Sequence, residues 1–272
     1  MFDRGLHYGD GLFETIAIRP FDSFRAHPFL SYHIARLSLG LERLSFPKIN
    51  IDQLLQDLAQ FIECVNQVQA SSESWILKLI ITRGQSKRGY IPETDSVPNI
   101  FMTQNPYPTY PDALYSEGIA VEWSDVILPI DPQLAGIKHL NRLPQVLAAT
   151  RAFGTPTLNA CQEVLLCNVN GYVIEGTKSN LFIVDANNEI KTPRLTESGV
   201  SGVMRAWIIA QLKAAGLGAV EVDVTPIDLQ EAKEIFLCNS IIGIWPVRRL
   251  AEQTFTVGKI SKKMQLMLKN LS

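Results

Sequence analysis

Little in this sequence suits a metal site or a disulfide framework. Cysteine occurs four times, as Cys64, Cys161, Cys167 and Cys238, and no two of these stand in CxxC spacing. The four histidines, His7, His27, His33 and His139, form no HExxH-type pair and none stands at zinc-ligand spacing from a cysteine. A metal is therefore not expected, and the thiols read as reduced, partly buried groups of a cytoplasmic protein. An excess of one charge is missing too. Lys plus Arg number 25 and Asp plus Glu 27, which leaves no basic field for nucleic acid and no polybasic patch for a membrane. No apolar run approaches the ~20 residues that cross a bilayer, and Met1-Phe2-Asp3-Arg4-Gly5 opens no signal-peptide core. Apolar residues are plentiful, at 46% against 19% charged. That supports a sizeable core in one large or two small domains.

The first half alternates strand and helix signals. Residues 12–18 read as a strand, and Leu30, Ile34, Leu37, Leu41 and Leu44 recur at helical spacing after Pro28. A second helix, capped by Asn50, carries Leu54, Leu55, Leu58, Phe61, Ile62 and Val65. Strands are expected at 75–82 and 99–103. Three prolines within 105–111 then forbid helix and favour a stiff, extended connection. The predicted organisation is a small N-terminal α/β domain over 1–104, a Pro-rich linker over 105–112, and a larger, strand-rich domain over 113–272. In the second domain, strands are expected at 118–126, 164–168, 172–174, 181–184, 220–224 and 235–238. Asn170-Gly171 predicts a type I′ hairpin turn. Helices are expected at about 143–153 and 201–215, the former capped by Asn141 with Pro144 in its first turn.

Three features carry chemistry. Lys138 sits in Gly136-Ile137-Lys138-His139-Leu140-Asn141-Arg142, between an apolar run and a helix start. Partial burial disfavours an ammonium, and a neutral amine attacks aldehydes. Alone, such a lysine reads as a surface residue. Glu175 leaves a strand into the small, polar turn Gly176-Thr177-Lys178-Ser179-Asn180, from which its carboxylate can reach a pocket and keep a pyridine nitrogen protonated. Gly199-Val200-Ser201-Gly202 runs straight into a helix, whose free N–H groups suit an anion. Ser240, after a strand, can add a hydroxyl to that anion. Arg36 lies beside an apolar helical stripe and either points inward or snorkels to water. An amine, an acid for a ring nitrogen and an anion cradle together describe a pyridoxal 5'-phosphate site.

These residues stand in segments that resemble the class IV aminotransferase family of pyridoxal phosphate enzymes, over nearly the whole chain. The segments are Asp3-Arg4-Gly5, Tyr8-Gly9-Asp10-Gly11-Leu12-Phe13-Glu14-Thr15, Ile81-Thr82-Arg83-Gly84 with Arg88-Gly89-Tyr90, Leu134 to Leu143, Glu175 to Phe182, and Gly199 to Arg205. The resemblance implies an α+β, fold type IV architecture of two α/β domains, the second a strand-rich pseudo-barrel, and a homodimer acting on a small molecule. It implies that Lys138 bonds the cofactor aldehyde and Glu175 holds the pyridine nitrogen. Arg36, the amides of Val200 and Ser201, and Ser240 would hold the phosphate, and Arg88 and Tyr90 would shape the substrate pocket.

Within the family the chain is most similar to the aminodeoxychorismate lyases, which turn 4-amino-4-deoxychorismate into 4-aminobenzoate and pyruvate for folate synthesis. Phe13 and Tyr90 replace the Tyr and His with which D-amino acid transaminases trap a carboxylate. Thr15 and Leu143 depart from the branched-chain transaminase pattern. A transaminase acting on D-amino or branched-chain substrates is the alternative. The family has about one strand more ahead of Asp3, so the expectation is a missing first hairpin or a misassigned start. Lys178 replaces a small or hydroxyl residue, which puts the turn after Glu175 in question.

Overall fold

The structure is a computed structural model, and it describes residues 2–19, 24–69, 73–86, 89–154 and 161–271. Its contacts divide the chain into two compact units. The first comprises Met1–Thr109 and Ile137–Asn141, the second Tyr110–Gly136 and Arg142–Ser272.

In the first unit the elements are α1 (Arg4–Tyr8), β1 (Gly11–Ile18), a 3-10 turn (Phe24–Ala26), α2 (Leu30–Arg43), α3 (Ile51–Gln69), β2 (Trp75–Thr82) and β3 (Asn99–Pro106). The strands form an antiparallel sheet in the order β1-β2-β3, with Gly11 opposite Thr82 and Thr82 opposite Asn99. Alternation along β1 turns Leu12, Glu14, Ile16 and Ile18 inward, and β2 does the same with Trp75, Leu77, Leu79 and Ile81. The helices close this face with His33, Leu37, Gly40 and Leu41 from α2 and Leu54, Leu58 and Ile62 from α3. Each fully buried Leu or Ile contributes about 1.5–3 kcal/mol. The α2 stripe is rotated from the expected one: His33, not Ile34, is buried. Gly40 permits this placement, because a Cβ there would lie 2.8 Å from Leu12 Cδ1. Asn50 caps α3 as expected, its Oδ1 accepting from Gln53 N.

The second unit contains α4 (Ala113–Ser116), β4 (Ile119–Trp123), α5 (Leu143–Phe153), β5 (Glu163–Cys167), β6 (Val173–Gly176), β7 (Asn180–Val184), β8 (Ile190–Pro193), α6 (Val203–Ala214), β9 (Val220–Val222), α7 (Pro226–Gln230), β10 (Glu234–Asn239), β11 (Gly243–Leu250), β12 (Gln253–Thr254) and α8 (Lys259–Lys269). Nine strands make one mixed sheet, ordered β6-β5-β4-β11-β10-β7-β8-β9 with β12 on β11. Both faces are buried: Ile119, Val121 and Leu165 join one apolar cluster, while Ala120, Val164 and Leu166 join another that includes Ala148 and Ala152 of α5. That explains the continuous apolar runs of β4 and β5.

Three expectations are corrected. The division falls between Thr109 and Tyr110, and Ile137–Asn141 groups with the first unit, so Lys138 does not belong to the C-terminal unit. The physical reason is pairing with β1: Phe13 N donates to Lys138 O, and Leu140 N to Gly11 O. Asn141 is not the N-cap of α5: Arg142 holds that position, with Pro144 in the first turn, and Asn141 Nδ2 donates to Gly9 O. Finally, the hairpin turn is not type I′. Gly171 N donates to Asn168 O, and only Gly171 (φ 80°) is left-handed, since Asn170 keeps negative φ. A type I turn followed by a left-handed glycine gives the same chain reversal.

Candidate active site

Strand pairing places Lys138 beside β1. Its backbone is fixed to Phe13, and Nζ lies 4.3 Å from the centre of the Phe13 ring. The side chain is half-buried. Lys78, on β2, approaches the same ring at 5.4 Å.

The next residue of β1, Glu14, is 1% exposed and lies among the helices of the first unit. A carboxylate there needs partners. Arg36 donates Nε to Oε1 at 2.8 Å and Nη2 to Oε2 at 2.5 Å, and His33 Nδ1 lies 2.7 Å from Oε2. Burial pushes the Glu14 carboxyl up, but the Arg36 charge and the bonds from His33 and Arg36 outweigh it, holding it at about 2. Burial pushes His33 below its usual value, against the pull of Glu14, and the Arg36 and Lys138 charges press the same way. The ionised carboxylate only accepts, so Nδ1 of the neutral ring carries the proton. His33 Nε2 is then a buried acceptor with no donor among the described residues. Arg36 therefore points inward, toward a carboxylate the sequence reading did not pair with it. The signal was available: Glu14 occupies an inward position of an alternating strand, and His33 and Arg36 stand three apart on one helix.

In the second unit, Glu175 is 4% exposed near the end of β6. Its Oε2 accepts Val200 N at 2.8 Å and its Oε1 accepts Gln145 Nε2 at 3.0 Å. Burial lowers the Arg142 guanidinium from its ordinary value, and the charge of Glu175 opposes that. Gly136 bridges the strip beyond, with Gly136 N donating to Gly199 O and Ser201 N to Gly136 O. Gly199 is required there. It has φ 85°, and a Cβ would meet Ile174 Cγ2 at 2.7 Å and Glu175 Oε2 at 3.1 Å.

The amides of Val200 and Ser201 donate to Glu175 Oε2 and Gly136 O. Helix α6 begins at Val203, and its first helical bond runs from Ala206 N to Gly202 O. The N–H groups of Val203, Met204 and Arg205 precede that bond and have no helical acceptor. Ser240 is half-buried after β10, in a turn where Asn239 Oδ1 accepts from Ile241 N and Ile242 N. Asn239 Nδ2 donates to Lys178 O, which ties this turn to the one after Glu175. The latter turn wraps around Glu163, a 1% exposed carboxylate that accepts from Thr177 N and Oγ1, Lys178 N and Ser179 Oγ. Only the backbone of Lys178 serves the turn, so its side chain is no obstacle.

Arg88 lies outside the described residues. Tyr90 is 84% exposed, with its ring 5.4 Å from that of Tyr8. Arg4 organises this loop, donating to Ser86 Oγ, Gly89 O and Tyr90 O while its Nε pairs with Asp10. The Asp3-Arg4-Gly5 motif is therefore scaffold for the loop, and Asp3 adds the N-cap of α1 and bonds from Thr82 and Asn99.

The model of the amino-transferase class IV family matches residues 11–250. The chain is 39% identical to the crystal structure of 4-amino-4-deoxychorismate lyase from Pseudomonas aeruginosa, with a TM-score of 0.88 over 98% of this chain and 93% of that one. It is 32% identical to aminodeoxychorismate lyase of Vibrio harveyi, over 97% of this chain and 93% of the relative. It is also 32% identical to a protein of Methanocaldococcus jannaschii provisionally named a branched-chain-amino-acid aminotransferase, over 100% and 90%. Family model, relatives and fold agree: the chain belongs to the class IV amino-transferases, which are pyridoxal phosphate enzymes.

Proposed function

We propose that this protein is an aminodeoxychorismate lyase that converts 4-amino-4-deoxychorismate to 4-aminobenzoate and pyruvate. The observation that carries the reading is the near-full-length likeness, in sequence and fold, to a lyase of solved structure. The residues present fit the cofactor. Taken unit by unit, the first offers Lys138 as the amine and Arg36, already paired with Glu14, as a cation; the second offers Glu175 as an acceptor for a ring N–H, and Ser240 and the helix-start N–H groups of Val203, Met204 and Arg205 as donors of the kind a phosphate requires. Gln145 Oε1, beside Glu175, is a buried acceptor without a donor among the described residues, as expected where a ligand supplies one.

Pyridoxal phosphate, when bound, supplies an electron sink. Lys138 Nζ then acts as base on the ring C4 proton of the substrate, and returns a proton to the departing enolpyruvyl group. Glu175, which accepts from Val200 N and Gln145 Nε2, is the proposed acceptor for the protonated ring nitrogen. The Phe13 ring and the backbone bond at Lys138 O restrict where Nζ can move. Arg88 and Tyr90 are proposed to receive the substrate, Arg88 through a bidentate carboxylate pair. Exposed Leu143, Val146 and Leu147, at i, i+3 and i+4 on α5, support the expected homodimer.

The test is incubation with 4-amino-4-deoxychorismate and no amino acceptor. Equal amounts of 4-aminobenzoate and pyruvate are expected, unchanged by an added keto acid. The equal identity to the Methanocaldococcus protein favours a transaminase as second reading. Activity only with an amino acid and 2-oxoglutarate would select it.

A further inference from the structure

We propose that Gln145 is a positioning residue of this site: its amide nitrogen locks the Glu175 carboxylate, and its carbonyl oxygen is a second acceptor beside it. The inference rests on the reading of Glu175 as partner of the cofactor ring nitrogen.

Gln145 Nε2 donates to Oε1 of Glu175, and Val200 N donates to its Oε2. Donors on both oxygens resist rotation of the carboxylate and fix the direction of its remaining lone pairs. Val200 N is main chain and survives any substitution. Gln145 Nε2 is the side chain that sets the other half. The amide orientation follows from chemistry: a carboxylate only accepts, so the nitrogen faces it and the oxygen faces away. That oxygen is buried, with no donor among the described residues. Native interiors seldom leave a buried amide oxygen unpaired, so a donor from a ligand is its expected partner. The residue is also well placed to be rigid. It lies in the first turn of α5, after Pro144, where Val146 N closes onto Arg142 O. In sequence it follows Lys138 by seven residues.

Reconstitution with pyridoxal phosphate labelled with nitrogen-15 in the ring gives a readout other than turnover. Wild type, Gln145→Met and Gln145→Glu are compared by the ring nitrogen chemical shift and by kcat and KM across pH. Methionine keeps the length of the side chain but cannot donate. Gln145→Met is expected to move the ring nitrogen signal toward the unprotonated position and to lower kcat about ten-fold with little change in KM. The new carboxyl of Gln145→Glu repels Glu175 when ionised and donates to it when protonated. Its activity should therefore recover as pH falls, which Gln145→Met cannot do. A wild-type ring signal and kcat in Gln145→Met would overturn the inference, as would an equal, pH-independent loss in both variants. Wild type that binds no cofactor would sink the functional reading and this inference with it. Wild type that binds and turns over, with Gln145→Met unchanged, sinks this inference alone.

Discussion

Glu14→Gln isolates the charge at the centre of the first unit. The side chain keeps its shape and loses its negative charge, while the buried Arg36 guanidinium stays positive. The Glu14 carboxyl is held at about 2 against a usual 4.5, which corresponds to about 3 kcal/mol of stability. A carboxyl with a depressed folded pKa stabilises fully above its unfolded value and loses that contribution as pH falls through the folded one. The contribution is thus complete above about pH 4.5, roughly half gone at pH 3 and nearly absent below pH 2. Removing one partner of a buried ion pair costs about 3–5 kcal/mol by independent reasoning, so the two routes agree. Urea titrations of wild type and Glu14→Gln, followed by circular dichroism without added cofactor, should differ by about 3 kcal/mol at pH 7 and by about half that at pH 3. His33 adds an acid sensitivity of its own. Burial depresses it, so the unfolded chain takes its proton first as pH falls below 6.5; Glu14 opposes that shift, so the pH 7 difference, above this titration, is the primary quantity to read. A difference under about 1 kcal/mol at pH 7, or one that does not shrink at pH 3, would refute the ion-pair reasoning.

Three further outcomes are expected. Gly199→Ala forces a side chain into φ 85° and against Glu175 Oε2; it should cost about 1–2 kcal/mol from backbone strain alone, read as a lower melting temperature. Glu163→Leu leaves Thr177 N, Lys178 N and Ser179 Oγ without their acceptor; a loss of about 3 kcal/mol or more and faster hydrogen exchange across 176–180 are expected, and unchanged protection there would count against the turn. With Ellman's reagent, exposed Cys64 should react in the native protein. Cys238, which burial pushes up to about 12, should react only on unfolding.

The sequence alone determined much of the local structure. β-rich runs marked β1 and β2, and helical spacing marked α2 and α3, because one face of each helix must meet the core and the other water. The lysine, the acid and the glycine-rich helix start were legible as chemistry, since few residue types can supply an imine-forming amine or a ring-nitrogen partner. Bonds between distant segments were not legible. The pairing of Lys138 with β1, the clasp of His33 and Arg36 on Glu14, the turn built on Glu163 and the donation from Gln145 to Glu175 each join residues far apart in the chain. No periodicity encodes such pairs. The same holds for the anion cradle: composition pointed to a glycine-rich helix start, but only tertiary structure showed that Val200 and Ser201 give their N–H groups to Glu175 and Gly136. A donor's partner is decided by which acceptor the fold brings within 3 Å, and that is a property of the packed chain, not of its local sequence.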